Sequence, residues 1–302
     1  MKKTVRLFSI MAVIVAGCTT ACGQNAIKNT ADDSGKVKVM TSFYTMYDFA
    51  QKIGGEKVEI TNMVPSGTEP HDWEPSAIDI RNMEDADVFI YNGAGMEHWA
   101  EDILKSLDNS ELITVEASEG VKLIREGKEN DPHVWLDPEN AKIEIEHIKD
   151  AFIEADKDNA EYYNKNYETY SRQLDGLNQE FEETLSQVTN KDIIVAHKAF
   201  GYLCKAYGLN QIAIEGLMPD SEPDPARMEE IIQLAKKKEI NTIFFEELVS
   251  PKVANTIAKE IGAKTEVLNP LEGLSEEQMD AGEDYFSVMR TNLKQIKKAL
   301  EN

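Results

Sequence analysis

The sequence predicts an α/β protein with parallel sheets in two lobes that are joined by a long, rigid linker helix. Short apolar, mostly β-branched runs alternate with amphipathic stretches, a pattern typical of parallel sheets with helices on both faces. These runs form two sets of four, separated by a stretch without strand signals over residues 138–188. We therefore expect an N-terminal lobe over residues 36–158, a linker helix over 159–189 and a C-terminal lobe over 190–302.

The N-terminus has the pattern of an export signal. Basic residues precede an uncharged apolar run over residues 7–16, which is too short to span a membrane as a helix. Cys18 directly follows small residues and resembles a cysteine that is lipidated after cleavage, so residues 1–17 are predicted to be a lipoprotein signal peptide. Cys22 is an alternative lipidation site, and a secretory signal with an incidental cysteine is another alternative. Residues 18–35 would carry the lipid and form a polar, flexible tether.

The N-terminal lobe contains the first set of predicted strands. The strands are predicted at residues 37–41, 58–64, 88–92 and 112–115, with helices at 46–53 and 97–107. Because parallel strands end at one edge of their sheet, the loops that follow them are expected to lie together.

The linker segment is rich in Glu, Lys, Asn and Tyr, with apolar side chains recurring between them. Pro138 suits the first position of a helix, and a break is expected near residues 156–159. The later helix would span roughly 45 Å at 1.5 Å per residue, which fits a rigid strut. A coiled-coil partner site is the alternative, but regular heptads are not evident.

The C-terminal lobe contains the second set of predicted strands. They lie at residues 193–196, 211–214, 242–245 and 265–268, with helices at 227–238 and 251–261. Cys204 has no cysteine partner within the predicted lobes, so the fold needs no disulfide.

The composition excludes some classes of partner. With 41% hydrophobic and 29% charged residues, the chain is expected to be globular. Its formal net charge of −23 argues against a nucleic-acid partner, because phosphate binding needs a basic face. An acidic surface instead raises the local concentration of cations.

Three of the five histidines lie in loops beside predicted strands. These are His71, His133 and His197, and ligands of parallel α/β sheets bind at the carboxyl ends of strands. Three convergent imidazoles suit Zn²⁺, which prefers four tetrahedral ligands. His98 and His147 lie in helix-like runs flanked by charge, and we expect them on a solvated helix surface.

A fourth ligand is needed to complete a tetrahedral zinc site. Glu272 lies just after the last predicted strand, in an apolar loop bounded by Pro and Gly. Glu69, Glu246 and Glu247 are rival candidates, and a water molecule is a further alternative.

Five segments together carry a specific resemblance to a known family. They are PSGTEPHDWEPSAIDI (65–80), DPHVWLDPENA (131–141), VAHKAFGYLCKAYGL (195–209), FFEELVSPKVANTIAKEIGAK (244–264) and LNPLEGL (268–274). In this order they resemble the zinc/manganese substrate-binding lipoproteins of ABC transporters, over about residues 36–300. The resemblance implies two (β/α)₄ lobes joined by one long helix, with the metal in the cleft between them.

The resemblance also implies which residues bind the metal. His71 and His133 would come from the N-terminal lobe and His197 from the C-terminal lobe, and the family's carboxylate ligand falls on Glu272. Manganese members carry a carboxylate where this chain has His197, so the nitrogen-rich set favours Zn²⁺ over Mn²⁺. The His-rich loop of some zinc members is missing, because residues 117–132 contain no histidine.

We therefore expect a monomeric binding protein that is anchored by a lipid on Cys18 to the outer face of the cell membrane. It would capture Zn²⁺ and deliver it to the permease of an ABC importer, which works with an ATPase subunit. A manganese-preferring protein of the same family, a metal-stabilised surface adhesin and a zinc hydrolase are the alternatives. The sequence contains no HExxH, GxSxG or Gly-rich phosphate loop, so an enzyme is not expected.

Overall fold

The computed structural model describes residues 35–219 and 224–301. The predicted signal peptide, Cys18, Cys22 and the predicted tether except Gly35 lie outside the described residues. Within the described ranges, no helix is both long enough and apolar enough to cross a membrane.

The N-terminal lobe is built on a parallel sheet with helices packed against it. Its strands and helices are β1 (Val37–Thr41), α1 (Tyr44–Gly54), β2 (Val58–Asn62), α2 (Ala77–Glu84), β3 (Val88–Tyr91), α3 (Ala100–Ser106) and β4 (Ile113–Glu116). The strand order is β2-β1-β3-β4, and every neighbouring pair is parallel. After β4, a short antiparallel hairpin leads towards the next helices, with strands β5 (Arg125–Glu126) and β6 (Glu129–Asn130).

Two helices follow the hairpin and form the predicted linker region. They are α4 (Pro138–Ala155) and α5 (Ala160–Leu185), with a 3₁₀ turn at Lys157–Asn159 between them. Pro138 begins α4, and the side chain of Asp137 caps it by accepting a hydrogen bond from the Glu139 amide at 3.0 Å. The 26 residues of α5 span roughly 39 Å.

The C-terminal lobe repeats the topology of the first lobe. Its elements are β7 (Asp192–Val195), α6 (Gly201–Tyr207), β8 (Asn210–Ala213), α7 (Pro225–Lys237), β9 (Thr242–Phe245), α8 (Lys252–Ile261), β10 (Lys264–Val267), α9 (Glu276–Asp280) and α10 (Tyr285–Leu300). The sheet order is β10-β9-β7-β8, again parallel throughout. Numbered within their own lobe, both sheets therefore have the order 2-1-3-4, a structural repeat that is not evident in the sequence.

Side-chain alternation along the central strands divides the apolar residues between layers. In β3, Val88 and Ile90 join a large core, whereas Phe89 packs on the opposite face of the sheet. In β7, Val195 joins that same large core, and Ile194 packs on the opposite face of its own sheet. The large core therefore runs through both lobes, and a smaller apolar cluster lies on the other face of each sheet.

The C-terminal helix α10 adds a second link between the lobes. The hydroxyl of Tyr285 donates to the carbonyl of Trp135 at 2.6 Å, and its ring packs edge-on against Phe49 at 5.0 Å. Asp284, the N-cap of α10, forms an ion pair with Lys52 of α1 at 2.9 Å. Together with α5, these contacts fix the position of the two sheets relative to each other.

Candidate metal site

Four buried side chains converge where the two lobes meet. His71, His133, His197 and Glu272 each offer one ligand atom, and these atoms all lie within 4.8 Å of one another. Each side chain is at most 4% exposed. His71 comes from the loop that follows β2 and His133 from the loop that follows the hairpin strand β6, whereas His197 and Glu272 come from loops that follow β7 and β10. The structure thus brings together the four residues that were predicted from the sequence.

The ligand atoms are close enough to surround a single ion. Nε2 of His71 lies 3.2 Å from Nε2 of His133. Oε1 of Glu272 lies 2.9 Å from Nε2 of His133, 3.5 Å from Nε2 of His71 and 3.7 Å from Nδ1 of His197. With metal–ligand bonds of about 2.0–2.2 Å, ligands of a tetrahedral zinc ion lie roughly 3.3–3.6 Å apart. The donor set and its spacing therefore fit Zn²⁺.

The orientation of His133 is fixed by Asp131. Oδ1 of Asp131 lies 2.8 Å from Nδ1 of His133 and also accepts from the His133 amide at 3.1 Å. A carboxylate can only accept, so Nδ1 carries the proton and Nε2 presents its lone pair to the cluster. Asp131 is held in turn by α6, because Tyr202 donates to its backbone carbonyl at 2.9 Å.

The orientation of His197 is fixed by a backbone group. Its Nε2 lies 2.8 Å from the carbonyl oxygen of Leu217, which can only accept a hydrogen bond. Nε2 therefore carries a proton, and Nδ1, which faces Glu272 and Glu246, is the nitrogen that can bind a metal once its own proton is lost. His197 presents the opposite ring nitrogen to the one that His71 and His133 present.

Both lobes hold the loop that carries Glu272. Thr45 of α1 donates to the carbonyl of Leu271, and the indole of Trp135 donates to the carbonyl of Pro270 at 2.8 Å. Leu271 has a left-handed backbone, with φ of 63°, and is fully buried. A branched residue in that region is strained, and such strain persists only where surrounding contacts enforce it. The position of Glu272 is therefore imposed by its surroundings.

The electrostatics of the cluster favour a cation. Burial opposes ionisation of Glu272, but His197, His71 and His133 outweigh it and hold the pKa of Glu272 well below its usual value. Burial lowers the pKa of His71. Burial also opposes the charged form of His197, but Glu272 and Glu246 outweigh it and raise the pKa of His197 to about 10. A carboxylate that stays ionised among imidazoles is ready to bind a metal, which exchanges for the imidazole proton.

The rival glutamates have different surroundings. Oε2 of Glu246 lies 3.1 Å from Nδ1 of His197, and Oε1 of Glu69 accepts from the His71 amide at 3.0 Å. Glu247 is exposed and its Oε2 accepts from Asn269 and Gln278, so it is directed away from the cluster. Burial, together with Glu272, raises the pKa of Glu69 to about 9.

The other two histidines lie outside the cluster, but not as the sequence predicted. His98 precedes α3 in a turn, is 54% exposed at its side chain and lies 3.5 Å from Glu74. His147 is in α4, but it is half-buried, and its Nδ1 lies 2.9 Å from the carbonyl of Ala117. The sequence pattern predicted a helix that includes His98, whereas α3 begins only at Ala100. Helix periodicity also could not show that His147 faces the carbonyl of Ala117, which belongs to a distant part of the chain.

Sequence reasoning assigned no role to two groups that orient the imidazoles. Asp131 stands two residues before His133, a spacing that lets its side chain reach both the amide and the ring of the histidine. That spacing is a signal that was present in the sequence. The carbonyl of Leu217 is twenty residues from His197 and carries no sequence signal, because every residue has a carbonyl.

A cleft leads from the surface towards the cluster. It has a volume of about 390 Å³ and is lined by His71, His98, Lys128, Pro132 and Leu217, among others. Residues of both lobes therefore line the cleft, which gives a small ion a path to His71.

Comparisons with known proteins agree with the fold and with zinc as the metal. The family model of the zinc-uptake complex component A, periplasmic (ZnuA), matches residues 39–299. The high-affinity zinc uptake system protein ZnuA of Bacillus subtilis is 42% identical over 95% of this chain and 96% of its own length.

Streptococcal proteins give a similar result. The zinc-binding lipoprotein AdcA of Streptococcus pneumoniae is 38% identical over the whole of this chain, which spans only 62% of AdcA. The crystal structure of the Zn(II)-bound ZnuA-like domain of that AdcA superposes with a TM-score of 0.81 at 42% identity, covering 89% of this chain and 100% of the domain. From the site, the fold and these relatives together, the chain belongs to the ZnuA family of zinc-uptake components.

Proposed function

We propose that this protein is the extracytoplasmic substrate-binding component of a zinc ABC importer, which captures Zn²⁺ and delivers it to the membrane permease. The observation that carries the proposal is the convergence of three imidazoles and one carboxylate, all buried, from both lobes. Proteins of the ZnuA family work with the permease and ATPase components of such importers. The permease would therefore accept the captured ion.

The proposed ligand atoms are Nε2 of His71, Nε2 of His133, Nδ1 of His197 and a carboxylate oxygen of Glu272. Two of the three lone pairs are aimed by hydrogen bonds on the opposite ring nitrogens, from Asp131 and Leu217. Such partners hold an imidazole in the tautomer that binds metal. The choice of Glu272 over its rivals is supported by its contacts with all three histidines.

The donor types support zinc over manganese. Imidazole nitrogen suits Zn²⁺, whereas Mn²⁺ prefers carboxylate, carbonyl and water oxygens. Three nitrogens and one carboxylate oxygen therefore favour Zn²⁺, the ion named in the Bacillus subtilis and Streptococcus pneumoniae relatives.

A binding role is better supported than catalysis. A catalytic zinc keeps an open position for water, and a structural or captured zinc has four protein ligands. Here three imidazoles and one carboxylate are available to a single ion, which matches a closed set of four protein ligands. The relatives are likewise named as uptake and binding proteins.

The location follows from the first residues of the sequence. A lipid on Cys18, followed by a tether, would hold a monomeric lobe pair close to the permease on the outer face of the membrane. A tether would keep the protein near the importer, so that it meets the permease at a high effective concentration.

The ligand set is tested by substituting His197 with alanine and measuring zinc affinity by competition with a chelator. His197→Ala removes one of four ligands, and we expect Zn²⁺ affinity to fall at least about a hundredfold, which is ~2.7 kcal/mol. Wild type should bind one Zn²⁺ per chain and keep it in excess Mn²⁺.

The matched control is His98→Ala, which removes an imidazole whose side chain is 54% exposed and outside the cluster. It should bind zinc as wild type does. Wild-type affinity in His197→Ala would reject the ligand set, and release of Zn²⁺ by Mn²⁺ would reject the assigned metal.

A further inference from the structure

A second group of ligand atoms lies beside the histidine cluster. Glu69, Glu246 and Glu272 each offer one carboxylate oxygen, and these three atoms all lie within 4.8 Å of one another. Two oxygens on opposite sides of one Ca²⁺ ion are about 4.6–5.2 Å apart, because each bond is about 2.3–2.6 Å long. The three oxygens are therefore within reach of a single cation.

The oxygens of this acidic group lack hydrogen-bond partners. Oε2 of Glu69, Oε1 of Glu246 and both oxygens of Glu272 are buried and accept no hydrogen bond from any residue of the described ranges. Glu246 is 2% exposed and Glu272 is 1% exposed, so bulk water does not compensate them. Buried carboxylate oxygens without partners are costly unless a cation or donor faces them.

The remaining oxygens of two of these glutamates face groups of the histidine cluster. Oε1 of Glu69 accepts from the His71 amide at 3.0 Å, and Oε2 of Glu246 faces Nδ1 of His197 at 3.1 Å. The His71 amide orients Glu69. Nδ1 of His197 is itself a proposed zinc ligand and cannot donate to Glu246 once zinc is bound, so Glu246 then has no donor on either oxygen among these contacts. Glu69 comes from the N-terminal lobe and Glu246 from the C-terminal lobe, so an ion between them would contact both lobes.

We propose that Glu69, Glu246 and Glu272 form a second cation position, which adjoins the nitrogen-rich site and shares Glu272 with it. Its donors are all oxygens, so it takes a hard, oxygen-preferring divalent cation such as Mn²⁺ or Ca²⁺. Glu272, whose Oε1 faces the three histidines, would be shared by the two positions. The inference rests on the proposed function for the Zn²⁺ in the neighbouring position.

Mn²⁺ is the probe, because its paramagnetism reports binding directly. The protein is loaded with one equivalent of Zn²⁺ and titrated with Mn²⁺, with free Mn²⁺ read by electron paramagnetic resonance and bound Zn²⁺ by elemental analysis. We expect wild type to bind one Mn²⁺ per chain while it retains its Zn²⁺.

The variants Glu69→Gln and Glu246→Gln keep the side-chain volume but remove a charged ligand, and each should weaken Mn²⁺ binding at least about tenfold. The matched control is Glu74→Gln, in which the replaced carboxylate belongs to the same loop as Glu69 but is 75% exposed. It should bind Mn²⁺ as wild type does. Thermal melting checks that each variant is folded, and Glu69→Gln decides the test if Glu246→Gln does not fold.

Two results would overturn the second position: no Mn²⁺ binding to the zinc-loaded wild type, or equal Mn²⁺ affinity in wild type and Glu69→Gln. Release of Zn²⁺ by Mn²⁺ would instead reject the metal assigned to the first site. Failure of the wild type to retain Zn²⁺ in the first step would instead reject the proposed function. In that case the same titration of wild type and Glu69→Gln without zinc still decides the second position.

Discussion

The position of the proton on each imidazole decides which of its two ring nitrogens can bind a metal. Asp131 places the proton of His133 on Nδ1, and the Leu217 carbonyl places that of His197 on Nε2. The two residues thus present different nitrogens to the same centre. The protein controls this choice with one carboxylate and one backbone oxygen, neither of which belongs to the proposed ligand set.

Asp131→Asn tests this orienting role. The substitution keeps the size of the side chain but removes the charge that holds the ring of His133. We expect Zn²⁺ affinity to fall tenfold to a hundredfold, as is typical when an outer partner of a metal ligand is lost. Chelator competition measures the change. Asp150→Asn is the control, because Asp150 is 62% exposed at its side chain; the idea fails if the two variants bind zinc equally well.

At the scale of elements, α4 contains a buried acid on its apolar face. Glu144 is fully buried, and neither of its oxygens has a hydrogen-bond partner among the described residues. Burial, with a smaller contribution from Glu97, raises its pKa well above the usual 4.5. The folded protein therefore holds a proton on Glu144 more tightly than the unfolded chain does. Each pH unit above the unfolded pKa then costs the fold about 1.4 kcal/mol, until the folded pKa is reached.

Glu144→Gln removes this penalty, because the amide is neutral at every pH. We expect the metal-free variant to gain stability over wild type as the pH rises above the unfolded pKa of a glutamate, with little difference below it. Urea unfolding at several pH values measures the difference. Glu154→Gln, an exposed position of the same helix, is the control and should follow wild type. Parallel stability profiles for Glu144→Gln and wild type would show that Glu144 is ionised in the fold.

At the scale of the whole molecule, one apolar core joins the lobes. Residues of β3 and β7, which belong to different sheets, pack in the same cluster together with α5 and α10. Two lobes that share a core cannot open widely without exposing it to water, which is unfavourable in proportion to the exposed apolar area. We therefore expect metal capture to involve small local movements of the ligand loops.

This rigidity predicts the response to zinc in solution. The radius of gyration from small-angle X-ray scattering should be unchanged on adding Zn²⁺, and thermal unfolding should be a single transition. Zinc at about 100 times its Kd should stabilise the fold by ~2.7 kcal/mol. His197→Ala should lose this stabilisation. A marked compaction on adding zinc, or two separate unfolding transitions, would contradict a shared core.

Much of this protein was determined by local sequence features. Alternation of apolar runs and amphipathic stretches indicated parallel sheets, and Pro138 marked the start of α4. The family motifs indicated His71, His133, His197 and Glu272, and the structure brings these four side chains together. These are properties of short segments, which a sequence displays directly.

Tertiary structure alone decided the rest. The tautomer of His197 depends on a carbonyl twenty residues away, and the loop of Glu272 is held by Thr45 from the other lobe. The grouping of Glu69 with Glu246 likewise joins loops of different lobes. Such contacts depend on how the two sheets pack around their common core. No local pattern encodes them, because the partners are distant in the chain and one of them is a backbone group.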